Sequence, residues 1–237
     1  MAYEIGWITA AAWYRREWSE TITLSDPLVP VGLNIDSVTS FQQSGATTSA
    51  PVTVAVKIPA GAVVVALCSL GGNTASDTVT SANLGTFDMR QRTQNSGQSV
   101  VFTAVAGGEI AAGEVITYNA GIANQPAMTI VVLTGANTSQ LTTVGTNTDN
   151  SSSMTVSVTA GAIGSHILGA FQLFTNTTTA APDANTTELF DTDTSAGDHT
   201  WHARRTDVTT ATGATVIGGT WGATNTWSAS AIEIRPA

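Results

Sequence analysis

Val52, Val54, Val56 and Ile58 alternate with Thr53, Ala55 and Lys57. This period of two predicts a strand with one apolar and one polar face. Pro59-Ala60-Gly61 then turns the chain. Val63–Leu70 follows, apolar on both faces, which predicts a strand covered on both sides. The same three parts recur in the same order over Met154–Phe171: an alternating strand, a turn flanked by Gly161 and Gly164, and an apolar run beginning at Ile167. The spacing is kept, with Val54 and Val156 separated by 102 residues and Thr129 and Ala229 by 100.

Further short strands are expected near Val38–Phe41, Asn83–Arg92, Val100–Val105, Val115–Asn119 and Met128–Leu133. In the second half they fall at Glu188–Phe190, Thr200–Arg205, Val216–Thr220 and Thr226–Arg235. Gln140–Ser153 has no hydrophobic period and reads as a polar connector, and Thr175–Asn185 reads as a loop. The pattern predicts an all-β fold: a single jelly-roll-like β-sandwich of about eight or more antiparallel strands. It would be built from two pseudo-repeats, 52–136 and 154–237, sharing one core, within a sandwich spanning 36–237. Two separate small sandwiches are the alternative.

Residues 1–35 break the pattern. Tyr3, Trp7, Ala11, Tyr14 and Trp18 recur every three or four residues, the stripe of an amphipathic helix. Ile5, Trp7 and Thr9 also alternate, so an extended arm is the other reading. Helix or strand, its aromatics need a surface to dock on. That surface is either one end of the sandwich or a neighbouring subunit, and the second reading makes Tyr3, Trp7, Trp13, Tyr14 and Trp18 interface residues.

Composition narrows the function. Charged residues are 11% of the chain, against roughly 25% in an ordinary globular domain, and Thr, Ser, Ala, Gly and Asn replace them. At a net charge of −9 no nucleic-acid partner is expected, since no basic patch exists to displace counterions from phosphates. No run of eighteen apolar residues is present, so no membrane insertion is expected, and no export signal is visible. An exterior-type surface without an export signal fits release by lysis. Cys68, the one cysteine, lies inside an apolar run and reads as a small buried hydrophobe.

No stretch reads as a catalytic site, and no enzymatic activity is expected. His199 and His202 flank Trp201, but residues three apart in a strand point to opposite faces and would not share a metal. His166 reads as structural. Asp191, Asp193, Ser195 and Asp198 alternate oxygen side chains around a glycine, a weak calcium candidate that departs from the EF-hand spacing; a polar hairpin turn is the plainer reading. No other cofactor is expected. Glu109, Glu114, Asp183, Glu188 and Asp207 offer carboxylates for glycoside cleavage, but no motif selects a pair. Trp201 and Trp221 are candidate glycan contacts, because indole faces stack on sugar rings, although buried packing is the commoner fate of tryptophan.

The closing stretch Trp227–Ala237, together with Val52–Leu67, Ile130–Ala136 and Met154–Phe171, resembles a loose group of β-sandwich domains. These are common in tailed-bacteriophage virion proteins and related bacterial surface proteins. The resemblance spans about residues 52–237 and implies a structural or adhesive role. It implies a place on the virion exterior as a head decoration, spike or fibre component, or tail-associated protein. The partners would be other copies of itself as a homo-oligomer and other virion proteins. The alternative is a glycan-binding adhesion module for host attachment.

Overall fold

The computed structural model describes residues 32–42, 47–174, 179–193 and 198–237. The chain divides into two units, Met1–Pro30 and Val31–Ala237, and every described strand belongs to the second. The aromatic stripe of the N-terminal arm therefore lies outside the described residues.

The described chain holds strands and no helix. In order these are β1 (Asn34–Gln42), β2 (Ser49–Val54), β3 (Val63–Leu70), β4 (Thr78–Ser81), β5 (Gly85–Thr86), β6 (Asp88–Asn95), β7 (Gly97–Val105) and β8 (Glu114–Asn119). There follow β9 (Ala127–Thr134), β10 (Val144–Ala160), β11 (His166–Leu173), β12 (Ala181–Pro182), β13 (Thr186–Asp193), β14 (His199–Arg205) and β15 (Gly213–Ile234). Among them no helix is long and apolar enough to cross a membrane.

All pairings are antiparallel and form three sheets. One runs β1-β9-β3-β7-β6, a second β10-β15-β11-β14-β13 with β12 also on β15, and a third β2-β8-β4-β5. The all-β, face-packed architecture agrees with the sequence pattern. The buried apolar side chains form three clusters in a layered arrangement, one of them drawn from both halves of the chain.

β3 shows why. Its Val64, Ala66, Cys68 and Leu70 pack with Val52, Val54, Ile116 and Tyr118 of the small sheet. Its Val63, Val65 and Leu67 point the other way, toward Leu168 and Ala170 of β11 and Ile232 and Ile234 of β15. β11 repeats the device, with Ile167, Phe171 and Leu173 entering the third cluster beside Trp201 and Trp227. Burying each such side chain contributes roughly 1.5–3 kcal/mol, so a strand apolar on both faces gains most when covered on both sides.

The outermost layer is made by folding a ribbon back on itself. β10 pairs with β15 over Val144–Ser151 and again over Ser153–Ala160, with a register shift between. Met154, Val156, Val158 and Ile217 from one half of the ribbon share a core with Trp227, Ala229 and Ala231 from the other. The halves approach so closely that a β-carbon on Gly145 would lie 2.1 Å from the Ser157 carbonyl oxygen, so only glycine fits there. Gln140–Ser153, expected to be a connector, is thus a strand over most of its length. Val216–Thr220 and Thr226–Arg235, expected as separate strands, are the two arms of β15. β1 begins at Asn34, so the described sheet takes in the end of the segment read as an arm.

Candidate functional site

β14 carries the densest chemistry. It pairs with β11 and β13, and its pleat sends His199, Trp201 and Ala203 to one face and Thr200 and His202 to the other. On the outer face Trp201 packs against Phe171 with ring centroids 4.7 Å apart, and its Nε1 donates to Glu188 Oε2 at 3.3 Å. Trp221 meets both Trp201 and His199 edge-on. His199 lies between two carboxylates: Nδ1 is 2.5 Å from Asp193 Oδ1, and Nε2 contacts Asp191 Oδ1. Nδ1 is in hydrogen-bond reach of Asp193, while Nε2 meets Asp191 as a close charge contact. Two carboxylates beside one ring favour its protonated form. Burial pulls its pKa down, but the bonds and charges of Asp191 and Asp193 outweigh that and hold it above its ordinary value. Burial, then the charge of Asp191, pushes the Glu188 carboxyl up.

The inner face of β14 looks into the seam between the two five-strand rows. His202 is fully buried there, and burial pulls its pKa down to about 3. Its Nε2 is 3.0 Å from Ser69 Oγ, and its Nδ1 is 2.7 Å from Thr129 Oγ1. Ser69 donates its proton to the Phe171 carbonyl at 3.1 Å, which makes Nε2 the ring's N–H and Nδ1 its acceptor. Ser69 and His202 have the spacing of a nucleophile and its base. Both are sealed from solvent, so no substrate reaches them. The rest of the seam is rich in hydroxyls: Ser230 donates to the Ser99 carbonyl at 2.9 Å and lies 2.8 Å from Thr93 Oγ1, and Thr200 donates to Gln172 at 2.9 Å.

Three further carboxylates act as internal fasteners. Glu233 accepts from the Gly161 and Ala162 amides at 2.9 and 3.2 Å, from Ser165 Oγ at 2.8 Å and from Arg235 Nε at 2.9 Å. Burial would raise its pKa, but these donors lower it. Glu114 is lowered first by the Ser81 hydroxyl, with Asn83 adding side-chain and backbone bonds. Asp77 meets Arg92 and accepts from Gln98 at 3.1 Å and Tyr118 at 3.4 Å. Among the carboxylates considered for glycoside cleavage, Glu109 pairs with Lys57 at 3.0 Å on the surface, Glu114 ties down Ser81 and Asn83, and Glu188 serves Trp201.

The structure reassigns several residues singled out from the sequence. Trp201 and Trp221 are buried, at 0% and 6% exposure, and offer no open face to a sugar. Trp221 lies between two glycines, but it sits inside β15, where the ribbon folds over it. Asp191 and Asp193 both lie against His199. Ser195 lies outside the described residues. Asp198 is buried, its carboxylate filling the space where Gly71 would carry a β-carbon, and burial pushes its pKa up to about 6. Among the described residues no group of three or more His, Cys, Asp or Glu is placed to hold a metal ion. Tyr3, Trp7, Trp13, Tyr14 and Trp18 lie outside the described residues. Sequence reasoning missed Glu233, although a lone carboxylate in the apolar stretch Ala231–Ile234 was a signal.

An open groove of about 620 Å³ runs beside the start of β1, with Leu33, Ile35 and Leu189 next to His166 and Arg204. Burial, then the Arg204 charge, lowers the His166 pKa. The residues brought together on β14 can hold charge and bridge sheets. No family model, no curated protein and no solved structure matches the chain.

Proposed function

We propose that the chain is a structural protein of the exterior of a phage particle, a head decoration, spike or fibre, or tail-associated component. It assembles as a homo-oligomer through its N-terminal arm. The observation that carries this reading is the inward use of ionisable groups. Glu233, Glu114, Asp77, His199 and His202 all bond within the chain and fasten turns, hairpins and sheets. That is the chemistry of a body built to hold its shape. The resemblance of residues 52–237 to virion β-sandwiches adds the setting.

The body is read further as two copies of one unit in a jelly-roll-like arrangement. What supports this is the matching sheet order, β1-β9-β3-β7-β6 against β10-β15-β11-β14-β13. Cys68 pairs with Val100 as Phe171 pairs with Trp201, at offsets of 103 and 101 residues. The glycan-binding alternative loses Trp201 and Trp221 as contacts and would need other residues.

Deleting residues 1–30 tests the reading, since Val31–Ala237 is a compact unit by itself. The expected outcome is an oligomeric full-length chain and a monomeric truncated chain with the same thermal unfolding transition. The same number of copies per particle for the two in sedimentation would refute assembly through the arm.

A further inference from the structure

We propose that His202 makes the seam between the two five-strand rows an acid-release joint, closed while the ring is uncharged and opened when acid places a proton on Nδ1.

The geometry of the hydrogen-bond chain carries the argument. Ser69 gives its proton to the Phe171 carbonyl, so His202 Nε2–H donates to Ser69 and Nδ1 accepts from Thr129. Thr129 in turn lies 2.8 Å from Ser40 Oγ, which donates to it. The chain therefore has one direction across five strands: β1, β9, β14, β3 and β11. A second proton on the ring forces Thr129 to turn its hydroxyl toward Ser40 and reverses the chain, and it leaves the charge itself without a partner.

The groups facing the ring are Ser69 of β3, Thr129 of β9, Ser40 of β1 behind it, the Phe171 carbonyl of β11 and, 5.8 Å away, the ring of Phe190 on β13. All are uncharged, and none offers the imidazolium a counter-ion. A charge buried without a partner is costly, and the cheaper response is for water to reach it. The path for water is short. β14 lies one strand in from the β13 edge and β9 one strand in from the β1 edge. Those two edges are joined by the bond from Thr192 Oγ1 to Gln42 Oε1 at 2.7 Å.

The direction follows from linkage. The open state titrates near the ordinary value of 6.5 and the closed state near 3. Closure is unaffected above pH 6.5 and weakens by about tenfold per pH unit below it, down to about pH 3. At pH 4.5 the joint should be about 100-fold weaker than at pH 7.

The test uses the full chain carrying S230C, which puts a thiol on the seam. Cys68, buried in the first core cluster, is the internal control. Both thiols are titrated with a pyridyl disulfide that reacts in acid, from pH 7 to pH 4. The seam thiol is expected to gain reactivity below pH 6 ahead of Cys68, and adding His202→Gln, which keeps an amide donor and acceptor but takes no proton, should suppress that gain. Reaction of both thiols together, or an unchanged profile with His202→Gln, would overturn the joint. A second measurement, on the unaltered chain, is the NMR titration of the His202 ring. It is expected to stay in the Nε2–H tautomer to below pH 4.5, and titration near 6.5 in the closed protein refutes the proposal even if the double variant does not fold.

Discussion

On the outer face of β14 an imidazole sits between two carboxylates, and on the seam face of the same strand an imidazole sits between two hydroxyls. Both rings are buried, so burial alone lowers the pKa of each. The neighbours decide the outcome. Asp191 and Asp193 reverse the sign for His199, while Ser69 and Thr129 leave His202 at the mercy of desolvation. The consequences for stability are opposite. His199, with its folded value raised, contributes stability that is fully present below about pH 6.5 and lost as pH rises through the folded value. His202, with its folded value lowered, contributes stability that is present above about 6.5 and lost as pH falls toward about 3. Two residues of one type, three positions apart, thus limit the fold from the alkaline and the acid side.

The largest way to break the comparison is to remove the packing behind the outer face. Trp201 lies between the two histidines, fully buried against Phe171 and Trp221. Trp201→Ala leaves a large cavity and deprives Glu188 of a donor. It should cost about 3–5 kcal/mol in urea unfolding at pH 7. A loss under 1 kcal/mol would mean that the outer core repacks freely.

How much of this was legible in the sequence differs between elements for a physical reason. β3 and β11 were readable because each is apolar on both faces, and only a covered strand tolerates that. The first half of β10 was not. Asn147–Asn150 are exposed, and the ladder to Thr226–Ala229 holds the strand without help from side-chain periodicity. Trp221 was misread because Gly219 and Gly222 suggest a turn, whereas a ribbon that folds back on itself also needs small residues and then buries what stands between them. On β14 the opposite facing of His199 and His202 followed from the period of a strand. The partners did not follow: Asp193 meets His199 through cross-strand register, and nothing in the sequence pairs Ser69 or Thr129 with a histidine more than seventy residues away.

The next effect sharpens the outer face. His199→Gln removes the titrating ring that Asp191 and Asp193 flank. Asp193 is 54% exposed and returns to water, but the Asp191 side chain is only 10% exposed and keeps the Ala180 amide as a donor at 3.1 Å. The expected cost is about 1–3 kcal/mol near pH 6. The loss should shrink as pH rises, because the parent chain loses the same stabilisation once its imidazolium deprotonates. Unfolding free energies at pH 6 and pH 9 check both points, and an equal loss at the two values would show that the ring contributes by packing and not by charge.

The smallest effect isolates hydrogen bonding in the seam from charge. Ser230 donates to the Ser99 carbonyl and accepts from the Ser99 hydroxyl at 3.2 Å, with Thr93 also in reach, and none of these groups titrates. Ser230→Ala leaves Thr93 and Ser99 short of a partner in a site without water access, which should cost about 1–2 kcal/mol. The alanine methyl fits where the hydroxyl stood, so no cavity adds to that figure. Because no proton is gained or lost at this position, the cost should be the same at pH 5 and pH 8. His202→Gln should instead change the difference between those two values. A pH-flat loss for the serine beside a pH-tilted one for the histidine would assign the seam's acid sensitivity to a single ring; a tilt in both would mean that acid loosens the hydroxyl ladder as a whole.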